Sequence, residues 1–151
     1  MKKENEAALL GASFWEKLNP CKQRLYNYIH KSLNFSVDAE DVFQETVLRA
    51  FQYIRSYKED RDFGAWLFGI AHNEIKKYYR KTLRIALPLE VERLSSADTS
   101  HTRHLAGEVY RFAERLTPRQ REVFFLFYDG GFTMSDISRI TGLREGNIKF
   151  I

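Results

Sequence analysis

Apolar residues recur at helical spacing along most of this chain, and segments with strand-like alternation are hard to find. A helix is predicted to begin at Asn19-Pro20, because asparagine caps helices and proline fits the first helical position. Its apolar side consists of Cys21, Leu25, Tyr28, Ile29 and Leu33. Two further helices are predicted, at roughly Ala39 to Ile54 with Asp38 as the N-cap, and at Phe63 to Arg84. The pattern therefore predicts an all-α fold.

A second helical block follows later in the chain. Its first apolar stripe consists of Leu105, Val109, Phe112, Ala113 and Leu116. The sequence Thr117-Pro118-Arg119-Gln120 is a capping box with proline at the first position, so a new helix is predicted to begin there. Asp129-Gly130-Gly131 ends that helix, since glycine accepts the left-handed exit conformation.

A helix-turn-helix pattern comes next. A capping box from Thr133 to Asp136 lies between Phe132 and Ile137, which have the spacing of a hydrophobic staple. The short helix ends at Thr141-Gly142, and another begins at Arg144 or Glu145. Two short helices joined by a glycine-containing turn are typical of DNA-binding modules. A plain helical hairpin within a bundle is the alternative.

The residues between the two blocks differ in character from both. Leu87-Pro88-Leu89 stops the long helix, and Ser95 to Thr102 is small, polar and without period. We therefore predict two small helical domains, residues 1–81 and 108–151, joined by a flexible linker at residues 82–107.

Composition limits the classes of function. The formal net charge is +4, which favours acidic partners only mildly. Cys21 is the single cysteine, so a reducing, cytoplasmic setting is expected. Without a run of about 18 apolar residues, no membrane insertion is expected. His72 and Glu74 form an H-x-E triplet, but the P-C-x-x-C of zinc deaminases is missing, so we expect neither metal nor cofactor. No nucleophile, base and oxyanion set converges, so no enzyme is expected.

The helix from Phe63 to Arg84 carries the most informative surface. Its first half is apolar on one side, and its second half is basic, with Asn73 at the start of the basic stripe. That basic stripe contains Asn73, Lys76, Lys77, Arg80, Lys81 and Arg84, with Tyr78 and Tyr79 among them. Cations bind phosphates and aromatic faces take unstacked bases, which indicates nucleic acid. The alternative is a solvated helix face whose cations suit the helix dipole.

The preceding helix begins with four carboxylates and no cation: Asp38, Glu40, Asp41 and Glu45. Acidic residues favour the first turn of a helix, which explains three of them without any partner. Glu45 and its neighbour Gln44 lie beyond the first turn, so a protein-docking surface is the other interpretation. The apolar positions of this helix are Val42, Phe43, Val47, Leu48, Ala50 and Phe51.

Long stretches of the chain resemble bacterial sigma factors. The runs DAEDVFQETVLRAFQYI and FGAWLFGIAHNEIKKYYRK are similar to sigma region 2, nearest to the extracytoplasmic-function (ECF) type. The run LTPRQREVFFLFYDGGFTMSDISRITGLREGNIK resembles region 4. The resemblance covers about residues 14–81 and 105–149. It implies a region 2 helical bundle and a region 4 helix-turn-helix, with too few residues between them for the middle domain of housekeeping sigma factors.

The resemblance also implies roles for particular positions. The D-x-x-Q-E core and its flanks would dock on core RNA polymerase: Asp38, Asp41, Gln44, Glu45 and Arg49. A base flipped from the promoter −10 element would be held by Asn73 and the loop from Tyr57 to Phe63. The full set implied for the −10 element is Arg61, Phe63, Trp66, Asn73, Lys76, Lys77, Tyr78, Arg80 and Lys81. For the −35 element it is Thr133, Arg144, Glu145, Asn147 and Lys149. From its spacing alone, Trp66 is better interpreted as a core residue than as one that stacks on a base.

The implied function is a non-enzymatic specificity factor for transcription initiation, with core RNA polymerase, promoter DNA and an anti-sigma factor as partners. The −35 helix has fewer than two turns before Ile151, and Arg144 stands where relatives usually have a capping Ser or Thr. We therefore hypothesise that the sequence is truncated in its recognition helix. The alternatives are a LuxR-type helix-turn-helix regulator, which LTPRQREVFFL also resembles, and a helical adaptor that does not bind DNA.

Overall fold

A computed structural model describes residues 1–86, 111–113 and 115–148 of the chain. The first unit contains α1 (Lys2–Ser32), α2 (Ala39–Gln52), a 3-10 turn (Ile54–Ser56) and α3 (Phe63–Ala86). The second contains α4 (Pro118–Tyr128), α5 (Met134–Thr141) and α6 (Glu145–Ile148). No strand occurs among the described residues, and the all-α prediction is confirmed. Most of the predicted linker, including Leu87-Pro88-Leu89 and Ser95 to Thr102, lies outside the described residues, as does the apolar stripe before Tyr110.

The predicted start of the first helix at Asn19-Pro20 is wrong. The helix runs without interruption from Lys2 to Ser32, with Pro20 inside it. Proline within a helix removes a backbone hydrogen bond and costs about 3 kcal/mol. That cost is offset by burial on both sides of the proline, because Phe14 and Leu18 join the same core as Leu25, all nearly inaccessible to solvent.

Asp38 does not cap α2 in the predicted manner. It has helical dihedral angles, φ −79° and ψ −10°, and its side chain makes no capping hydrogen bond. A helical residue keeps its carboxylate away from the free N–H groups of the next turn, whereas capping requires extended backbone. Instead, the hydroxyl of Tyr78 on α3 donates to Asp38 Oδ2 at 3.4 Å.

The predicted third helix is confirmed, and it contacts α1 and α2 of the first unit as well as α5 of the second. It begins at Phe63, where Asp62 Oδ2 accepts from the backbone N–H of Ala65 at 3.1 Å. Its buried side chains Leu67, Phe68, Ala71 and Ile75 complete a three-helix core with α1 and α2. The described part of the helix reaches Ala86, two residues beyond the predicted end.

Both capping boxes predicted in the second unit are present. Thr117 accepts from Gln120 N at the start of α4, and Thr133 accepts from Asp136 N at the start of α5. Gly142 ends α5 with φ +74°, a left-handed conformation that disfavours side chains with a Cβ. The α5–turn–α6 arrangement confirms the helix-turn-helix. In the turn between α4 and α5, Gly130 leaves room for the ring of Phe132, since a Cβ at this position would lie 2.6 Å from that ring.

The two units pack against each other, which no sequence pattern indicated. Helix α1 contacts α4, and α3 contacts α5. The rings of Phe68 and Phe132 meet edge to face with centroids 4.8 Å apart. At one side Lys31 Nζ lies 2.7 Å from Asp129 Oδ1 and Arg24 donates to the carbonyl of Gly130 at 2.9 Å.

A buried carboxylate lies at the centre of this contact. Glu122 on α4 is 5% exposed and accepts from the hydroxyl of Tyr28 on α1. Its Oε1 atom also pairs with His72 Nδ1 on α3. Burial, together with the charge of Glu122, raises the pKa of Tyr28 well above its usual range, so its hydroxyl remains a donor. One side chain of the second unit thus joins two helices of the first.

Replacing Glu122 should therefore destabilise the protein. Glu122→Ala leaves the Tyr28 hydroxyl and His72 Nδ1 buried without a partner, at a cost of about 1–3 kcal/mol for each unsatisfied group. Urea denaturation followed by circular dichroism measures the loss. Glu16→Ala removes the same charge from an exposed position on α1 and should change stability by less than about 0.5 kcal/mol. Equal midpoints for the two variants would contradict the role given to Glu122.

Candidate nucleic-acid interface and docking surface

An open groove runs between the end of α2 and the middle of α3. It encloses about 350 Å³ and is lined by Arg49, Tyr53, Ile70, Asn73, Glu74, Lys76, Lys77 and Arg80. Four of these side chains are cationic and one is anionic. Asn73, Lys76, Lys77 and Arg80 are exposed, so their polar ends reach solvent. The groove brings together four of the residues implied for the −10 element.

Glu74 is the one carboxylate of the groove, and its charge is neutralised. Arg49 Nε lies 2.7 Å from Glu74 Oε1, and Lys77 Nζ lies 3.2 Å from the same atom. Glu74 is only 7% exposed, so it needs such partners. Lys76 and Arg80 form no ion pair within the described residues. The accessible charge of the groove is therefore positive.

Three aromatic residues pack together at the start of α3 and in the loop before it, and none of them lines the groove. Trp66 is half-buried and packs against Tyr57 and Phe63, with ring centroids 5.3 and 5.6 Å away. Phe63 is 9% exposed, and its ring also contacts Phe14 in the core. Arg61 is exposed in the loop before α3. Of the three residues in this region implied for DNA, Arg61 is exposed, Trp66 is half-buried and Phe63 is buried.

Tyr78 and Lys81 lie away from that groove. They line a second cleft together with Asp38, Asp41 and Glu45 at the start of α2. The Tyr78 hydroxyl is 3.1 Å from Ser36 Oγ, which ties α3 to the loop before α2. The next residue, Tyr79, faces the core, where its hydroxyl donates to the carbonyl of Ser32 at 2.7 Å. Burial raises the pKa of Tyr79 to about 12, so it stays a neutral donor.

The residues implied for polymerase docking form a stripe along α2. Asp38, Asp41 and Gln44 are exposed, and Glu45 is partly so. The Nε atom of Arg49 lies 3.1 Å from Glu45 of this stripe and also contacts Glu74 in the groove. Arg49 therefore connects the acidic stripe with the basic groove.

Sequence reasoning missed an apolar surface beside the acidic stripe. Leu48 and Phe51 are 50% and 42% exposed, although both were counted among the apolar positions of α2. Together with exposed Trp15 on α1 they border a groove of about 400 Å³. The sequence did contain an indication of this surface, because α2 carries apolar residues on more than one face. A helix that only packs on a core has one apolar face.

The helix-turn-helix carries the residues implied for the −35 element. Thr133, Arg144, Glu145 and Asn147 are all exposed, whereas Ile148 is buried against the unit. Thr133 also caps α5, so it has a structural role. Lys149 lies outside the described residues. In the described part of the chain, α6 consists of a single turn, Glu145–Ile148.

The described residues contain no group of three or more His, Cys, Asp or Glu that could hold a metal ion. None of their helices combines the length and apolar character needed to cross a membrane.

Comparison with known proteins identifies the family. The family model for Sigma-70 region 2 matches residues 19–85, and that for Sigma-70 region 4 matches residues 106–150. The ECF RNA polymerase sigma factor EcfG of Rhodopseudomonas palustris is 35% identical over 127 residues, 78% of this chain and 67% of the relative. This chain belongs to the ECF sigma factor family.

Another relative and one solved structure agree with this assignment, and a second structure shares the fold. The ECF sigma factor BldN of Streptomyces coelicolor is 34% identical over 136 residues, and the chain spans half of its length. The structure of sigma factor RpoE with the anti-sigma factor NepR from Bartonella quintana matches with a TM-score of 0.73 at 25% identity, over 91% of this chain and 88% of that one. CnrH in complex with the cytosolic domain of CnrY has a TM-score of 0.66 at 22% identity, over 95% and 85%, and shows the fold alone.

The ion pair between Arg49 and Glu74 should contribute measurably to the free energy of unfolding. Arg49→Ala removes a charged partner from a buried carboxylate and should lower the free energy of unfolding by about 1.5–3 kcal/mol. Adding Glu74→Gln should recover part of that loss, because the uncompensated charge is then absent. Thermal and urea unfolding measure both. Arg55→Ala, at an exposed position, is the control. An Arg49→Ala variant as stable as this control would contradict the pairing.

Proposed function

We propose that this ECF sigma factor binds core RNA polymerase through α2 and holds an unpaired strand of the promoter −10 element in the groove of α3. The observation that carries the proposal is the groove itself. It presents an exposed amide and accessible cations directly beside an exposed acidic stripe.

Docking on the polymerase is assigned to the stripe that contains Asp41 and Gln44. Asp41 has no ion-pair partner within the described residues, so its charge is available to a basic surface. Leu48 and Phe51 continue the stripe with exposed apolar area. An apolar patch rimmed by charges is typical of a protein interface. Arg49, which contacts Glu74, would support this surface from behind rather than bind the polymerase.

Promoter opening needs no chemistry by the sigma factor. Unstacking a base step costs a few kcal/mol, and stacking a base on an aromatic side chain returns roughly 1–3 kcal/mol. Capture of a few bases, together with phosphate contacts from Lys76 and Arg80, can therefore hold strands apart. We infer that the chain catalyses nothing itself and acts in the cytoplasm, where the polymerase and the promoter are.

The helix-turn-helix is assigned to the −35 element, and this assignment requires the two units to separate. The two promoter elements are centred roughly 25 base pairs apart, which is about 85 Å of duplex at 3.4 Å per base pair. In the packed form, Phe132 at the start of the helix-turn-helix touches Phe68 of α3. One molecule in this form cannot reach both elements. A partner that favours the packed form would act as an anti-sigma factor.

The main rivals make different predictions. A LuxR-type regulator would use the helix-turn-helix alone and would not bind core polymerase. A helical adaptor would show no salt-dependent binding to single-stranded −10 DNA. The Sigma-70 region 2 match over residues 19–85 supports the sigma factor assignment against both.

Removing two cations of the groove should weaken DNA capture without affecting docking. Lys76→Ala/Arg80→Ala is the cleaner pair, because Lys77 also holds Glu74. Run-off transcription with core polymerase should be lost, while binding to core persists. The salt dependence of single-stranded −10 DNA binding should fall by about 1.4 in log–log slope, at about 0.7 per phosphate contact. Lys2→Ala/Lys3→Ala removes equal charge from the exposed start of α1 and serves as control. Unchanged transcription by the groove variant would contradict the DNA role.

A further inference from the structure

Tyr53 stands out among the exposed aromatic side chains. It is 53% exposed, and in the described part of the chain it is the one exposed aromatic residue whose ring contacts no other aromatic ring. Each of the others contacts a neighbouring ring: Trp15, Tyr26, Phe51, Phe112, Phe127 and Tyr128. An isolated exposed tyrosine is ordinary on a protein surface, so its surroundings decide what it does.

The backbone of Tyr53 is fixed on both sides. Its N–H donates to the carbonyl of Arg49 at 2.9 Å, which ends α2. Its own carbonyl accepts from the backbone N–H of Ser56 at 2.8 Å and from Ser56 Oγ at 2.6 Å. The next residue, Ile54, is buried. The backbone that carries the exposed ring is therefore ordered, so ligand binding need not order this part of the chain.

The ring lies on the wall of the basic groove. Tyr53 lines it together with Asn73, Lys76 and Arg80, which belong to the facing helix. The groove of about 350 Å³ is at the small end of the range for ligand sites, about 300–1,000 Å³, which suits one base rather than a duplex. An amide offers both a donor and an acceptor to a base edge, and cations hold the attached phosphates.

We propose that Tyr53 stacks on an unpaired base of the promoter strand held in this groove. The inference rests on the proposed function and adds to it a DNA-binding residue that the sequence did not single out. Stacking tolerates every base, because every base has a π-face. Tyr53 therefore contributes affinity for the melted strand, while the choice of base is made by groups that meet its edge, such as Asn73.

The test uses holoenzyme formed from the full chain and core polymerase, with a promoter DNA whose −10 region is pre-melted and carries 2-aminopurine. Tyr53→Ala should weaken binding about 5- to 150-fold, which corresponds to the ~1–3 kcal/mol of one stacked base. Tyr53→Phe keeps the ring and should bind within about twofold of the unaltered chain. Quenching of 2-aminopurine at one position should disappear in Tyr53→Ala only.

Controls separate this inference from the function on which it rests. Tyr128→Ala removes an exposed tyrosine from α4, outside the groove, and should bind normally. If Tyr53→Ala binds as the unaltered chain does while Lys76→Ala/Arg80→Ala is weakened, the groove holds DNA without Tyr53 and the inference is wrong. Equal losses in Tyr53→Phe and Tyr53→Ala would show that the hydroxyl matters and would also overturn stacking. If the unaltered holoenzyme does not bind pre-melted DNA, the proposed function itself fails.

Discussion

The buried carboxylate of Glu122 determines how the two halves of this molecule are arranged. A charge removed from water is stable only with partners, and its partners, Tyr28 and His72, belong to two different helices of the first unit. The helix that carries Glu122 is therefore held against α1 and α3 together. Around it, Lys31 pairs with Asp129, and Phe132 fills the space beside Phe68. The position of the helix-turn-helix beside the basic helix follows from these contacts.

A second buried carboxylate organises the candidate site. Glu74 lies beneath the groove and is held by Arg49 from α2 and by Lys77 from its own helix. Arg49 also contacts Glu45 of the acidic stripe, so one guanidinium joins the floor of the groove to the proposed docking surface. The proposed docking surface and the groove that would hold the strand are therefore neighbours on the same pair of helices.

The features that could be predicted from the sequence are those that depend on residues close together in the chain. The capping boxes at Thr117 and Thr133 were predicted correctly, because each is closed by residues three positions apart. The helix starting at Phe63 followed from its periodicity. Predictions failed where distant residues outweigh local preference. Pro20 lies inside a helix because the core on both sides of it is continuous, and Asp38 is turned toward Tyr78 of α3 instead of capping. The place of Tyr53 in the groove and the contacts of Glu122 both depend on how helices pack together. No spacing rule within one helix could therefore predict them.

If the chain initiates transcription only after its two units separate, a covalent link between them should block it. The double variant Lys31→Cys/Asp129→Cys replaces an ion pair between the units, and a short, reducible bis-maleimide reagent would join the two thiols. Buried Cys21 should not compete for the reagent, and the two single-cysteine variants control for simple modification. In run-off transcription with core polymerase on a promoter bearing both elements, the joined protein should be inactive and should recover when the link is reduced. Full activity of the joined protein, or none after reduction while the unmodified chain is active, would contradict the account.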